Sequence, residues 1–335
     1  MFPGREAPVI EQYSIADHYS RSDRCDKRAE IVEHLFKTPR EIPSKYFYDR
    51  TGSKLFEKIT RLEEYYPART EKRILRRCFP DIMTELEPRS LVELGSGDCS
   101  KISIVLSSMK SHSISEMEYI PVDVSRSAVE ESCTELSQRF PELSIRGLVA
   151  DFCSQLAKVP CSGIRLFCLF GSTIGNFCFE SAVSLLSGIA GEMEGQDRFI
   201  LGLDMRKDRW IMNRAYNDRA GVTANFNRNI LKVTGSILSM DIPTNIFRHR
   251  AFWNGKEGRM EMHLEAAEEV VLNSPCLDRP LKLSQGEMIH TENSYKYTGK
   301  MIRDLASESG MEICRVITDD RKWFSLVEMK SAIDN

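Results

Sequence analysis

Hydrophobic and polar positions alternate through the middle of this chain in a pattern that predicts an α/β fold. Short apolar runs, each followed by a polar or glycine-rich turn, have the length of buried strands, and segments with helical periodicity separate them. This alternation is typical of a mostly parallel sheet covered by helices. The predicted strands are residues 91–94, 119–123, 146–150, 165–170 and 198–204, and a predicted helix over 69–86 leads into the first of them.

The two flanks of this pattern differ from it. Residues 1 to about 30 are polar and predict a loosely held lead-in. A dense aromatic segment over 42–66 predicts either a packing layer or a lid whose tyrosine hydroxyls reach a substrate. After residue 206 the pattern predicts two helices and then a hairpin with strands over 247–253 and 259–272, joined at an Asn-Gly turn.

These patterns divide the chain into two predicted modules. Residues 68–205, together with the last helix and strand pair in 298–335, form the predicted core. Residues 1–67 and 206–297 form a predicted α+β module that caps the core. In this module Met262 lies on the same strand face as its apolar neighbours two positions away, so it points toward a core or a pocket.

The stretch Leu91–Lys101 carries the main functional signal. A strand runs into the turn Gly95-Ser96-Gly97, and such a turn presents backbone N–H groups at the carboxyl edge of a sheet. Position 100 is serine rather than the third glycine of a dinucleotide fingerprint, which speaks against NAD. Lys101 and the loop amides could instead hold a carboxylate, such as that of the methionine tail of S-adenosylmethionine (SAM).

Other strand ends favour an adenosine cofactor. Asp123 ends a strand 28 residues after Gly95, where a carboxylate could bind the hydroxyls of a ribose. Asp151 and Phe152 end the next strand, as an acceptor for the adenine amino group and a ring that stacks on adenine. Asn176 lies in the glycine-rich loop after the fourth strand, where it either serves the site or braces the loop.

Composition sets bounds on the class of protein. The 335 residues are 41% hydrophobic and 28% charged, which suits a globular enzyme with one large domain or two modest ones. A formal net charge of −3 and the lack of a bilayer-length apolar run point away from nucleic acid and membranes as partners. The cysteines show no C-x-x-C pair and the histidines no ligand spacing, so we expect free thiols and no metal.

The amino terminus, Met1–Pro8, lacks the apolar core of a secretory signal. We therefore expect a cytoplasmic protein, and we expect it to be a monomer that acts on a small molecule.

Motifs spread from about residue 40 onward make the chain resemble a known family. They are Tyr46–Asp49 with Gly52-Ser53, Ile59–Leu62 with Glu64–Pro67, Leu91–Gly97, Asp123–Ser125, Asp151-Phe152, Thr173–Asn176, Gly221–Thr223 with Phe226–Asn229, and Thr291-Glu292-x-Ser294. On these motifs the chain resembles the histidine-specific Nα-methyltransferases, which make hercynine, trimethylhistidine betaine, in ergothioneine biosynthesis. The resemblance implies a Rossmann-like class I SAM-dependent methyltransferase core with a second, substrate-binding α+β module.

The resemblance also implies roles for individual residues, with two departures from the family pattern, at Phe170–Ser172 and at Asp98-Cys99. The matched cofactor positions are Tyr48, Gly95, Lys101, Asp123, Asp151 and Phe152. The positions that hold the substrate carboxylate and amine are Tyr65, Gly171, Asn176 and Tyr216, and those of the imidazole pocket are Met262, Glu292 and Ser294. Tyr48 and Asn176 are the expected catalytic residues. Our own hypothesis is that no strong general base is fixed there and that water or a tyrosine such as Tyr48 relays the proton.

The implied reaction is SAM-dependent Nα-trimethylation of L-histidine to hercynine. Three alternatives stay open on the sequence. An enzyme of the same fold could methylate another amino acid, such as tryptophan or a derivative. A methyltransferase-like module could bind ligands without activity, or the fold could serve a nicotinamide-dependent oxidoreductase.

Overall fold

The computed structural model describes residues 13–18, 21–153, 155 and 163–332, with only the backbone for residues 21–26. Two large sheets organise this part of the chain, one in the core and one in the capping module. Met1–Pro8, from which we expect no secretory signal, lies outside the described residues.

The core contains an eight-stranded sheet. Its strands are β1 (Tyr13–Asp17), β3 (Ser90–Leu94), β4 (Glu118–Asp123), β5 (Ser144–Val149), β6 (Arg165–Leu169), β7 (Arg198–Asp204), β13 (Met311–Thr318) and β14 (Phe324–Ser331). Their spatial order is β1-β5-β4-β3-β6-β7-β14-β13, and β14 alone runs in the direction opposite to the other seven strands. The strand order reverses between β3 and β6, which opens a crevice at their carboxyl ends. The predicted Rossmann-like α/β class is confirmed.

Helices pack against both faces of this sheet. They are α3 (Tyr66–Leu86), α4 (Ile102–Ser107), α5 (Ser111–Ser115), α6 (Arg126–Arg139), α7 (Phe179–Glu192) and α10 (Gly299–Glu308). Leu91 and Val92, neighbours in β3, pack into two different apolar clusters on opposite faces of the sheet. The central strands are therefore apolar on both faces, which explains why they appear as continuous hydrophobic runs. None of the described helices is long and apolar enough to cross a membrane.

The prediction of a loosely held lead-in was wrong for residues 13–17. They form the edge strand β1, which runs parallel to β5 with Tyr13 opposite Ile145. Part of the segment assigned to the capping module therefore extends the core sheet. A five-residue edge strand that is only half buried has no continuous apolar run, so the sequence pattern gave no indication of it.

The capping module contains a four-stranded sheet in the order β2-β12-β9-β8 and a separate β10-β11 pair. The strands are β2 (Arg40–Glu41), β8 (Phe247–Asn254), β9 (Arg259–Ala266), β10 (Val270–Leu272), β11 (Leu281–Leu283) and β12 (Met288–Tyr295). Helices α1 (Arg21–Phe36), α2 (Arg50–Thr60), α8 (Arg209–Tyr216) and α9 (Val222–Leu238) complete it.

One prediction about these strands needs correction. The single strand predicted over 259–272 is divided into β9 and β10, because β10 leaves the four-stranded sheet to pair with β11. The predicted helix near the end of the chain is confirmed as α10, and residues 292–294 before it lie in β12 at the centre of the capping sheet.

An N-cap interaction fixes the start of helix α2, next to residues that line a cavity. Asp49 accepts hydrogen bonds from the backbone N–H of Gly52 and from Asn229 of α9, both at 2.7 Å. A Cβ atom at Gly52 would lie 1.7 Å from the carbonyl oxygen of Phe47, so only glycine fits. The segment that contains Tyr48 is thus held between two packed elements.

Buried cysteines and exposed ones both occur. Cys78, Cys99, Cys133 and Cys168 are buried as small core residues, in line with the prediction. Cys153, Cys178 and Cys314 are exposed, so the core assignment does not extend to all of them. The side chains of Cys25 and Cys161 lie outside the described residues.

Glu93, in the central strand β3, is a fully buried carboxyl group. The hydroxyl of Tyr119 donates to its Oε2 at 2.6 Å, while Oε1 has no hydrogen-bond partner among the described residues. Burial raises the pKa of Glu93 from 4.5 to about 8, although the nearby ammonium of Lys101 opposes this shift. The carboxyl group is therefore protonated in the folded protein at neutral pH.

We expect Glu93→Gln to remove part of the pH dependence of stability. Between the unfolded pKa of 4.5 and the folded pKa of about 8, the folded protein holds one more proton than the unfolded chain. The free energy of unfolding therefore falls as the pH rises through this range. The free energy of unfolding of the wild type should fall more steeply than that of the variant, by up to about 1.4 kcal/mol per pH unit. Urea titrations of both proteins across this range measure the difference, and parallel curves would contradict it.

Candidate active site

A cavity of about 310 Å³ opens at the carboxyl ends of β3 to β6, where the capping module covers the core sheet. It is lined by twelve of the thirteen residues singled out from the sequence. Those from the core are Gly95, Lys101, Asp123, Phe152, Gly171 and Asn176, and those from the capping module are Tyr48, Tyr65, Tyr216, Met262, Glu292 and Ser294. Both predicted modules thus contribute to one site.

The turn after β3 forms one end of the cavity. Gly95 and Gly97 have positive φ angles of 67° and 51°, a conformation that favours glycine. The Asp123 carboxylate accepts the backbone N–H of Gly97 at 3.0 Å and that of Ser125 at 2.8 Å. Burial nevertheless raises its pKa above the ordinary value. Asp123 therefore fixes the turn, and its position at the end of β4 also leaves it beside any ribose bound there.

Lys101 lies between this turn and the loop that contains Gly171. A Cβ atom built on Gly171 would lie 3.4 Å from the Lys101 ammonium, and Gly171 donates its backbone N–H to both carboxylate oxygens of buried Glu71, at 2.8 and 3.0 Å. Burial opposes the charge of Lys101, but Glu71, Glu93 and Asp98 outweigh it and raise its pKa. Because no described residue hydrogen-bonds to this ammonium, it is available to an anionic ligand group.

Asp151 does not line the cavity. Its Oδ1 accepts the backbone N–H of Cys153 at 2.9 Å, and its own N–H donates to Gln155 at 3.0 Å. Its neighbour Phe152 does line the cavity, where its ring flanks Gly95. The role of Asp151 toward an adenine amino group therefore stays a prediction.

Aromatic rings form the wall on the capping side. Tyr48 contacts Phe56 and Phe226 edge-on, with ring centroids 5.8 and 6.0 Å apart, and Tyr65 contacts Tyr216 at 6.4 Å. Each of these rings lines the cavity. The aromatic segment thus forms a packing layer, one of the two interpretations that the sequence left open, and part of the cavity wall. The other interpretation, a lid whose tyrosine hydroxyls reach a substrate, stays a prediction. The hydroxyls of Tyr48 and Tyr65 have no hydrogen-bond partner among the described residues.

The far end of the cavity is built on the two central strands of the capping sheet. Glu292 of β12 lies directly opposite Met262 of β9, so both side chains share the face that lines the cavity. Glu292 makes no hydrogen bond within the described part of the chain. Burial raises its pKa from 4.5 to about 7, against the opposing effect of Lys296.

Lys296 is a buried residue next to the site that the sequence analysis did not single out. It is 1% exposed, and its ammonium donates to the Tyr216 hydroxyl at 3.0 Å and to Ser294 Oγ at 2.8 Å. It also forms an ion pair of 2.7 Å with Asp204 at the end of β7. The signal was present in the alternation of polar residues at 292, 294 and 296, which places three side chains on one face of an extended segment.

Asp204 also forms an ion pair with a second lysine, Lys207, where the core meets the capping module. Lys207 donates to it and to the Tyr66 hydroxyl, and the Tyr66 hydroxyl donates to both Asp204 oxygens at 3.0 and 2.8 Å. Burial disfavours ionisation of Asp204, but the two lysines outweigh it and lower its pKa. Burial lowers the pKa of Lys207 to about 8. Such a cluster is stable only when every charge is paired.

The hydrogen bonds at this end of the cavity determine which proton is left for a ligand. Lys296 donates to both hydroxyls, and the Tyr216 hydroxyl donates to Ser294 Oγ at 2.7 Å. The proton of Ser294 itself remains for a ligand, while the Glu292 carboxylate can only accept. A contact from Tyr216 to a substrate carboxylate, as predicted, would require its hydroxyl to turn away from Ser294.

Comparison with known proteins places this site in a family. The profile of the family described as "Histidine-specific methyltransferase, SAM-dependent" matches residues 27–331. The chain belongs to this family. It is therefore a SAM-dependent methyltransferase, and the predicted cofactor is confirmed. The left-handed glycine turn, Asp123 beside it and the unpartnered ammonium of Lys101 fit the ribose and the carboxylate of SAM.

Individual relatives differ in their substrates. The histidine N-alpha-methyltransferase of Mycobacterium tuberculosis is 36% identical over 314 residues, which cover 93% of this chain and 98% of that protein. Ergothioneine biosynthesis protein 1 of Schizosaccharomyces pombe is 24% identical over 82% of this chain and 36% of its own length. The 4-dimethylallyltryptophan N-methyltransferase of Claviceps purpurea is 25% identical over 90% of this chain and 94% of that protein.

We expect Lys296→Met to impair use of the amino-acid substrate while leaving SAM binding intact. Loss of the ammonium frees the hydroxyls of Tyr216 and Ser294 from their fixed orientation, so kcat/KM for histidine should fall at least about tenfold. The dissociation constant for SAM, measured by calorimetry, should change by less than about twofold, since Lys296 does not touch the cofactor end.

Lys207→Met is the matched control, because it removes the other lysine from Asp204 without touching either hydroxyl. Both variants should be destabilised, although Asp204 keeps one lysine partner in each, so activities are compared below the melting temperature of each. Equal losses of kcat/KM in the two variants would show that Lys296 only neutralises Asp204.

Proposed function

We propose that this enzyme transfers three methyl groups, one per catalytic round, to the α-amine of L-histidine and so forms hercynine, a step of ergothioneine biosynthesis. The support comes from the polar groups at the far end of the cavity and from relatives that carry histidine methylation or ergothioneine biosynthesis in their names.

The pairing of Glu292 with Ser294 carries the proposal. A neutral imidazole has one N–H donor and one nitrogen acceptor. Glu292 offers an acceptor without a partner among the described residues, and Ser294 offers the hydroxyl proton that Tyr216 and Lys296 leave free. An indole has an N–H donor but no ring acceptor, so it would leave the Ser294 proton unpaired. The pair therefore favours histidine over tryptophan.

The middle of the cavity suits the amino-acid group. Asn176 and Tyr65 line it and have no hydrogen-bond partner among the described residues, so both can bind the substrate carboxylate or amine. The backbone of Gly171 is fixed by Glu71, which holds the loop beside them. These residues would align the amine lone pair with the methyl group to be transferred, and the capping module would exclude water.

Each round requires an amine that has lost a proton. Bound SAM supplies the electrophilic methyl group, and the C–S bond breaks as the N–C bond forms. Burial and the Glu292 carboxylate raise the pKa of Tyr48 well above its ordinary value. Tyr48 is thus a hydroxyl group at neutral pH rather than a phenolate base. We infer that it relays the proton to water instead of retaining it, which suits a site that must accept three successive amines.

Incubation of the purified protein with SAM and each common amino acid separately, followed by mass spectrometry, tests the proposal. Histidine should gain three methyl groups, with one- and two-methyl forms appearing earlier in the time course. Methylation of tryptophan or another amino acid with histidine untouched would overturn the assignment of the pocket while leaving the SAM-dependent fold intact. Histidine that stops at one or two methyl groups would refute trimethylation.

Glu292→Gln tests how the imidazole is bound. Replacing a charged acceptor with a neutral one should weaken transition-state binding by about 1.5–3 kcal/mol, so kcat/KM for histidine at pH 8 should fall roughly 10- to 150-fold. Because the wild-type carboxyl group has a pKa of about 7, the ratio of wild-type to variant kcat/KM should fall as the pH drops below 7. The substrate also titrates in this range, so the same profiles are measured with Glu292→Ala, which has no acceptor, as a reference. A ratio that stays constant with pH would show that Glu292 does not act as an ionised acceptor.

A further inference from the structure

The outer face of the capping sheet, opposite the cavity, carries a cluster of potential metal ligands. Glu261 and His263 alternate on β9 with Met262, which faces the cavity, and His290 of β12 lies directly opposite His263. One ligand atom from each of the three side chains lies within 4.8 Å of the other two. We propose that Glu261, His263 and His290 bind a divalent transition-metal ion, with Zn²⁺ as the expected occupant.

The distances suit such an ion. Glu261 Oε2 and His263 Nε2 are 3.0 Å apart. Two ligands of a tetrahedral zinc ion, each at about 2.0–2.2 Å from the metal, are separated by roughly 3.3 Å. A bound ion would therefore replace the proton that the two atoms now share. The rings of His263 and His290 have centroids 4.9 Å apart, so rotation of the half-buried His290 ring would complete a three-ligand set.

The carboxylate is already oriented by neighbouring donors. Arg259 Nε and Asn254 Nδ2 donate to Glu261 Oε1 at 2.8 and 2.9 Å, which leaves Oε2 directed at His263. Metal-binding carboxylates are commonly held in this way by a second layer of hydrogen bonds. The Arg259 charge also repels a cation, so we expect micromolar rather than nanomolar affinity.

The two imidazole rings are also oriented by their neighbours. His263 stacks on Phe252 with a centroid distance of 5.1 Å and an interplanar angle of 4°. Asn293 Oδ1 lies 2.9 Å from His290 Nε2, and this single hydrogen bond would break when the ring rotates toward the ion. Burial lowers the pKa of both histidines, and the proximity of His263 adds to the effect at His290. Both rings are thus neutral at neutral pH, which is the state that binds metal.

Glu261, the acidic member of the set, is ionised, and the ionised carboxylate is the form that binds metal. Burial opposes ionisation of Glu261, but hydrogen bonds from His263, Arg259 and Asn254 outweigh it and lower the pKa to about 2. Two neutral imidazoles with one carboxylate favour zinc and neighbouring first-row ions over Mg²⁺ or Ca²⁺. Our expectation of no metal rested on linear spacing, which misses this set because its ligands meet across two strands.

The ion would act on the sheet rather than on the reaction. Its ligands join β9 to β12 on the face opposite Met262 and Glu292, which line the substrate cavity. Binding at this position crosslinks the two strands that carry the imidazole pocket, so it should raise the melting temperature of the protein.

Titration of untagged, chelator-treated full-length protein with Co²⁺, followed by competition with Zn²⁺, tests the site. One Co²⁺ should bind with the visible absorption of a four- or five-coordinate ion, and Zn²⁺ should displace it. His263→Ala and His290→Ala should each weaken binding at least about tenfold, because loss of a ligand costs no less than loss of a second-layer contact. His112→Ala is the matched control, since His112 forms an exposed pair with Glu116 at 3.4 Å and should not affect binding.

Circular dichroism and methyl transfer without added metal show whether each variant is folded, since neither histidine lines the cavity. Glu261→Gln provides a second ligand variant if either alanine variant fails to fold. Unchanged Co²⁺ affinity in the ligand variants would overturn the proposal. Sulfur-to-cobalt charge transfer would do so too, because it would assign the ion to exposed cysteines such as Cys153, Cys178 or Cys314.

Discussion

One buried carboxylate, Asp204, connects the core sheet to the capping module. It ends β7 of the core, and it pairs with Lys296, which follows β12 of the capping sheet, and with Lys207 from the connection between them. Neither lysine could be buried without it, because an unpaired interior charge costs several kcal/mol. The position of Lys296 fixes the hydroxyls of Tyr216 and Ser294 in turn, so the shape of the substrate pocket depends on an ion pair outside the pocket.

The site divides its tasks between the two modules. The core supplies the glycine turn and Asp123, features that suit an adenosine cofactor and place few demands on the second substrate. The capping module supplies Glu292 and Ser294, whose acceptor and donor we propose discriminate one substrate side chain from another. Relatives that act on other amino acids can therefore share the fold and the cofactor while differing in the strands that cover it.

The core was predictable because its central strands are buried on both faces and appear as apolar runs. The turn at Gly95 and the strand-end acids followed from the same pattern. The strand that carries Glu292 was not recognised, since residues 290–294 are all polar and leave no apolar face that would indicate a buried strand. Lys296 was missed because a lysine in a sequence predicts a solvent-exposed side chain. Only the tertiary contact with Asp204 explains its burial.

A crystal structure of the enzyme with S-adenosylhomocysteine and L-histidine would test the central claim most directly. One imidazole nitrogen should lie within hydrogen-bond distance of the Glu292 carboxylate and the other within the same distance of Ser294 Oγ, with the α-amine directed at the cofactor sulfur. An imidazole bound away from this pair, or an α-amine bound to Glu292, would contradict the assignment of histidine recognition to these two strands.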